Sequence, residues 1–274
     1  MAAENRSVWR WWKAGCLIVF IYAGICPENA HSIGQIRYQN PHERTLHVHG
    51  AVALVVAGAY GGKLPALLFE TGQHLLYGVA GLKTNHIRIG GYRQATGLVL
   101  SSTSLSSPVG REYLLTIEPI YRAAERLALS VDLNLDRLSI HGFDHSFLVS
   151  IGASAVVRLS ESLHLGYTFE NIRLYGEELP GADTALHLVA TPGTMVCVVT
   201  QLRVTREGSA EALFGSGVRL HDALQLALGY EDPDAVIGAT VQTHFRSIGV
   251  SLGASLHPIL GLSKAVFVSW RRQP

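Results

Sequence analysis

The sequence predicts an all-β fold: an antiparallel up-and-down transmembrane β-barrel of about twelve to fourteen strands with a small N-terminal hatch segment. Three observations predict it. The first is a two-residue rhythm that starts near residue 84 and runs almost to the end. Between Arg126 and Asp136 the apolar side chains are Leu127, Leu129, Val131, Leu133 and Leu135, alternating with Ala128, Ser130, Asp132, Asn134 and Asp136. A strand points successive side chains to opposite faces, so this segment has one apolar and one polar face. Leu163-Leu165-Tyr167-Phe169 alternate in the same way with His164-Gly166-Thr168-Glu170, and Ile248-Val250-Leu252-Ala254-Leu256 with Gly249-Ser251-Gly253-Ser255-His257. The second observation is composition. Hydrophobic residues make up 48% of the 274, charged residues only 16%, against about 25% charged in a typical soluble protein. No run beyond the N-terminus reaches the roughly 18 apolar residues of a transmembrane helix, so the hydrophobicity is spread over many short segments.

The third observation is an export signal, read over residues 1–30. Arg6, Arg10 and Lys13 form a positive region, and Leu17 to Ala23 an apolar one. Cleavage is expected after Ala30, with Cys26 as the competing site and an uncleaved anchor as the alternative. Once the signal is removed, Cys197 is the sole cysteine, so no intrachain disulfide forms.

Residues 31–83 differ from the remainder of the chain and are read as a hatch-like segment, with the first strand as a further element within it. Asn40-Pro41 marks a turn. His49 to Tyr60 is rich in small residues without clean alternation, and Pro65 to Val79 reads as a short helix followed by an extended piece. Residues 84–274 are read as the barrel. Candidate strands run over 85–94, 96–106, 112–121, 126–137, 145–158, 162–173, 184–191, 194–206, 209–219, 222–231, 235–245, 247–257 and 263–271. Turn chemistry separates them at Ser160-Glu161, Thr191-Pro192-Gly193 and Glu231-Asp232-Pro233-Asp234, with Pro180-Gly181 in a longer loop.

A soluble sandwich also alternates, and its water-facing side usually carries Lys, Glu and Arg. Here the polar positions are Gly, Ser, Thr, Ala and His, with isolated charges such as Arg158, Arg203, Arg219 and Arg246. That composition suits the crowded interior of a closed barrel. Tyr92, Tyr113, Tyr121, Tyr167, Phe169, Tyr175, Tyr230, Phe245 and Trp270 are read as interfacial aromatic girdles.

The layout resembles the PorV/PorQ-like branch of the FadL-type outer-membrane proteins. The resemblance rests on Val56-Ala57-Gly58-Ala59-Tyr60, followed by Pro65 to Leu75, and on His257-Pro258-Ile259-Leu260-Gly261-Leu262-Ser263 in the last turn. Thr71, Gly72 and Gln73 stand where the family has Asn-Pro-Ala. The resemblance implies a bacterial outer-membrane protein of the Gram-negative type. Its implied role is passage of small hydrophobic molecules, or membership of a type IX-like envelope protein-export apparatus. Outer-membrane lipids, hydrophobic small molecules and other envelope proteins are the implied partners. The alternatives are a secreted soluble β-barrel or sandwich that binds a ligand or partner, and an outer-membrane barrel hydrolase.

No catalytic, cofactor-binding or metal residue is assigned. His47 and His49 share a strand face, but only Glu43 lies near them as a further donor, and they are read as polar interior residues; so are His141 and His145 around Asp144. His164, His187, His244 and His257 fall on polar strand faces and are read as lumen lining. Gly152-Ala153-Ser154-Ala155 lacks the sharp turn of a hydrolase nucleophile. A net charge of +1 with scattered arginines argues against nucleic-acid binding.

Overall fold

In the computed structural model, the described residues are 51–52, 65–93, 95–142, 145–175, 182–193, 195–205 and 208–272. The expected signal (1–30), His47, His49, Val56 to Tyr60, Asp144 and Pro180-Gly181 lie outside them. Fourteen antiparallel strands close into a barrel in which each pairs with its chain neighbours and the last pairs with the first. They are β1 (Leu67–Leu75), β2 (Lys83–Arg93), β3 (Thr96–Ser107), β4 (Gly110–Ala124), β5 (Leu127–Ile140), β6 (Ser146–Arg158) and β7 (Leu163–Tyr175). The second half comprises β8 (Asp183–Ala190), β9 (Val196–Val204), β10 (Ala210–His221), β11 (Leu224–Asp232), β12 (Val236–Phe245), β13 (Ile248–His257) and β14 (Gly261–Arg272). The segments expected from residue 84 onward are β2 to β14.

One expectation is corrected. The short helix read at the start of Pro65 to Val79 is instead strand β1, which pairs with β14 from Leu67↔Arg272 to Leu75↔Lys264. Without it, β2 and β14 would each present an open edge, and such an edge is not tolerated in hydrocarbon. Leu67, Phe69, Thr71, Gln73 and Leu75 point outward, with Leu68, Glu70, Gly72 and His74 inward. The alternation is weakened by Thr71 and Gln73, two polar residues on the outer face.

Strand β1 starts and β14 ends at one mouth of the barrel, here the terminal end; the other mouth is the far end. Turns are short at both. Two residues join β4 to β5, β10 to β11 and β12 to β13 at the terminal end, and two join β3 to β4 at the far end.

The rhythm becomes an inside and an outside. On β5, Ser130, Asp132 and Asn134 are buried in the lumen while Val131 is 43% exposed on the outer wall. The outer wall carries Leu98, Leu115, Leu186, Leu202, Leu228, Leu252 and many like them, all exposed. In water a belt this continuous would drive aggregation; in lipid it is the solvated state. Aromatic side chains gather toward its margins. Phe69, Tyr121, Phe245 and Trp270 stand near the terminal end, and Tyr113, Phe147, Tyr175 and Tyr230 nearer the far end. Phe147 and Tyr175 are in ring contact at 6.5 Å, and the Arg246 guanidinium lies 5.5 Å from the Phe245 ring centroid, in a turn rather than on a polar strand face. Tyr92 departs from the girdle expectation: it occupies an inward position opposite Gly97, where a Cβ would run into the Tyr92 ring. Tyr167 and Phe169 lie mid-strand rather than at a margin.

The ladder is interrupted in one quarter of the wall. Between β4 and β5 the pairing runs to Ile117↔Leu133 and resumes at Ile120↔Ser130. Pro119 lies in the gap and has no N–H to donate. Strands β6 and β7 change register twice nearby, on either side of Ser150-Ile151. Between these seams the Asp132 carboxylate lies over Gly152, where any Cβ would collide with it.

Candidate functional site

The inward rows converge on the lumen, and its chemistry changes along the axis. At the terminal end, Ala51 and Val52, in helical conformation, are fully buried among inward residues of the wall. They share an apolar cluster with Val156 on β6, Val189 on β8, Cys197 and Val199 on β9, and Ala227 on β11, with Ala128 of β5 packed against it. The N–H of Ala51 donates to Ser154 Oγ at 3.0 Å and to Ser130 Oγ at 3.3 Å, and the two hydroxyls are 2.7 Å apart. An N–H of a helical turn is thus satisfied by the wall. Gly166 makes room for this seat: a Cβ there would lie 3.0 Å from Val52 Cγ2 and 3.2 Å from His187 Cβ.

Midway, the lining is polar and cross-linked. Thr116 Oγ1 donates to Asn134 Oδ1 at 2.8 Å, and Asn134 Nδ2 donates to Asp132 Oδ2 at 2.7 Å. His187 Nε2 and Thr168 Oγ1 are 3.2 Å apart, and His86 Nδ1 and Thr103 Oγ1 2.9 Å. Glu70 of β1 stands opposite Arg88 of β2 and Ser269 of β14. The Phe267 ring contacts the His86 ring at 5.7 Å and covers Gly72, where no side chain would fit beneath it.

Charge gathers at the far end. Arg203 Nη2 lies 3.0 Å from Asp183 Oδ2 and its Nη1 3.6 Å from Glu211 Oε2, so one guanidinium ties β8, β9 and β10 together. Asp183 is 1% exposed. On the other side of the mouth, Glu112 and Asp136 occupy inward positions one diagonal apart on β4 and β5. Their ladder partners on the same face are Leu105, Leu138, Leu114 and Leu148.

The expected lumen histidines are where the alternation put them: His164, His187, His244 and His257 all take inward positions. His141 and His145, by contrast, are exposed near the far-end turn between β5 and β6. Ser154 faces the lumen with its hydroxyl committed to Ser130 and Ala51. No group of three or more metal-ligating side chains occurs among the described residues. The seat of Ala51 and Val52, the Arg203 cluster and the Glu112–Asp136 diagonal were not anticipated. Sequence periodicity tells which residues point inward, but only register tells which of them meet.

No family model matches the chain, and no curated protein matches it by sequence. Its fold is shared by solved barrels. The CymD monoaromatic hydrocarbon channel superimposes with a TM-score of 0.61 at 8% identity, over 86% of this chain and 98% of that one. The toluene transporter TbuX of Ralstonia pickettii gives 0.59 at 8% identity, over 87% and 100%. A FadL homologue of Pseudomonas aeruginosa gives 0.56 at 8% identity, over 85% and 98%. The class defined by the fold is therefore the closed fourteen-stranded antiparallel β-barrel, which those proteins share.

Proposed function

We propose that this protein is a non-enzymatic outer-membrane barrel of a Gram-negative-type bacterium that lets small hydrophobic molecules pass. The observation that carries the reading is the plug seat. An apolar helical pair is held by wall serines in a lumen that is polar farther along its axis, so an apolar surface lies where the pore is obstructed. A hydrophobic solute that displaces or skirts Val52 finds compatible contacts at that point; a sugar or ion does not. The proteins that share the fold include a monoaromatic hydrocarbon channel and a toluene transporter, which supports this cargo class. The continuous apolar outer wall favours a membrane barrel over a secreted soluble one.

Within this reading, residues 1–30 are the export signal and the part of 31–83 upstream of β1 is the hatch, while β1 itself belongs to the wall. The docking role implied by the PorV/PorQ resemblance has less to support it, because the turns at both mouths are brief.

The test is uptake by intact cells whose outer membrane has a lipopolysaccharide leaflet, which slows apolar solutes. Cells carrying the full-length protein should take up toluene faster than cells without it while arabinose uptake is unchanged; an equal gain for both would indicate an open porin. Membrane insertion is checked with single cysteines and a bilayer-restricted label. Labelling is expected at 129, 131 and 133 and not at 130, 132 and 134.

A further inference from the structure

On the outer face at the far end, basic side chains gather on one side of the barrel. Ladder partners trace a single row there: Lys264 of β14, Leu75 of β1, Lys83 of β2, Ser106 of β3 and Arg111 of β4. Arg137 of β5, opposite Tyr113, adds a further cation. Lys264, Lys83, Arg111 and Arg137 are all exposed. Among the described residues no outward strand position of β14 or β1 to β5 carries an acid, and these cations make no ion pair. The far-end margin of β6 to β13 has no outward Lys or Arg among the described residues, and Asp232 stands on it. A girdle of cations that merely reach for water would have no reason to keep to one side.

The depth of the row is that of headgroups. Tyr113 marks the far-end margin of the apolar belt, and Arg111 lies two residues beyond it on β4, about 7 Å along the strand. The next outward row toward the bilayer is Gln73, Asn85 and Ser104, with Gln73 Nε2 donating to Asn85 Oδ1 at 2.9 Å. Lys264 to Lys83 and Lys83 to Arg111 each span two strand spacings, about 10 Å. Cations spread in this way above a shelf of amides and hydroxyls complement phosphates carried on a sugar. Connection lengths tell which leaflet the row meets. Far-end connections reach seven residues, at 76–82 and 176–182, and terminal ones five at most, at 191–195. Longer connections mark the extracellular side of a barrel, so the row meets the outer leaflet, whose lipid is lipopolysaccharide.

We propose that the outer face of β14 and β1 to β5, from Lys264 to Arg137, binds the phosphorylated sugar headgroup of lipopolysaccharide. Binding there depends on outer-membrane residence and is independent of the cargo. The test titrates bisphosphorylated lipid A into the full-length protein in nonionic micelles. Lipid A should bind about tenfold or more tightly than the same lipid stripped of its phosphates, and more tightly than phosphatidylglycerol, with a preference that shrinks as salt rises. Lys83→Gln/Arg111→Gln should lose the preference. Arg93→Gln/Arg272→Gln, on exposed outward positions at the terminal end, should keep it. Compact migration before heating shows that each variant is folded, and the comparison of lipids needs no variant. Equal binding with and without phosphates, or equal binding of phosphatidylglycerol, overturns the proposal. So does a preference that survives in Lys83→Gln/Arg111→Gln, or that is lost alike in both double variants.

Discussion

At the terminal end of the lumen Val52 packs against Val156, Val189 and Val199, whereas at the far end Arg203 holds Asp183 and Glu211. Both regions are built on inward positions of overlapping strands. Val199 and Arg203 sit four residues apart on β9, and Val189 and Asp183 six apart on β8. The same faces therefore serve an apolar seat at one mouth and a charged brace at the other. An apolar seat and a charged brace thus stand at opposite mouths. The terminal end holds a separate segment by van der Waals contact and two wall hydroxyls. The far end holds the wall to itself.

The largest effect is expected from a charge placed in the apolar seat. Val52→Asp buries a carboxylate among valines, at a cost of roughly 3 kcal/mol or more. The segment is expected to leave its seat rather than the wall to unfold, because β1 to β14 close without it. Planar-bilayer conductance should rise severalfold in protein whose compact migration shows a folded barrel. Unchanged conductance would place the constriction elsewhere and remove the contrast between the two mouths.

Next comes the brace. Asp183→Asn removes the charge on the buried partner of Arg203 and weakens the hold on the guanidinium, with Glu211 still in place. A loss of about 1–3 kcal/mol in barrel stability is expected, read as a lower urea midpoint for unfolding from micelles. Conductance should be unchanged if the far-end brace and the terminal-end seat are independent. A large conductance change would show that the two ends are coupled.

The smallest effect is at the hydroxyl pair. Ser154→Ala removes the nearer acceptor of the Ala51 N–H and leaves Ser130 Oγ in place. A cost of about 1 kcal/mol is expected, visible as faster hydrogen exchange at the Ala51 amide with the wall amides unaffected. Exchange no faster than in the unsubstituted protein would mean that Ser130 alone suffices.

Alternation along the chain is enough to set the class of fold, most of the strands and the direction in which each side chain points. The reason is physical: a strand between lipid and a polar interior has only two faces, so a period of two records both solvents at once. It was legible at Leu129 to Asn134 and at His164 and His187, and it weakened where the outer face turned polar, so β1 read as part helix. Which inward residues meet is a matter of tertiary structure. Gly166 faces Val52 across more than a hundred residues of sequence, and Asp183 reaches Arg203 two positions off direct register. Those contacts depend on strand stagger and on barrel closure, and neither leaves a trace in local periodicity.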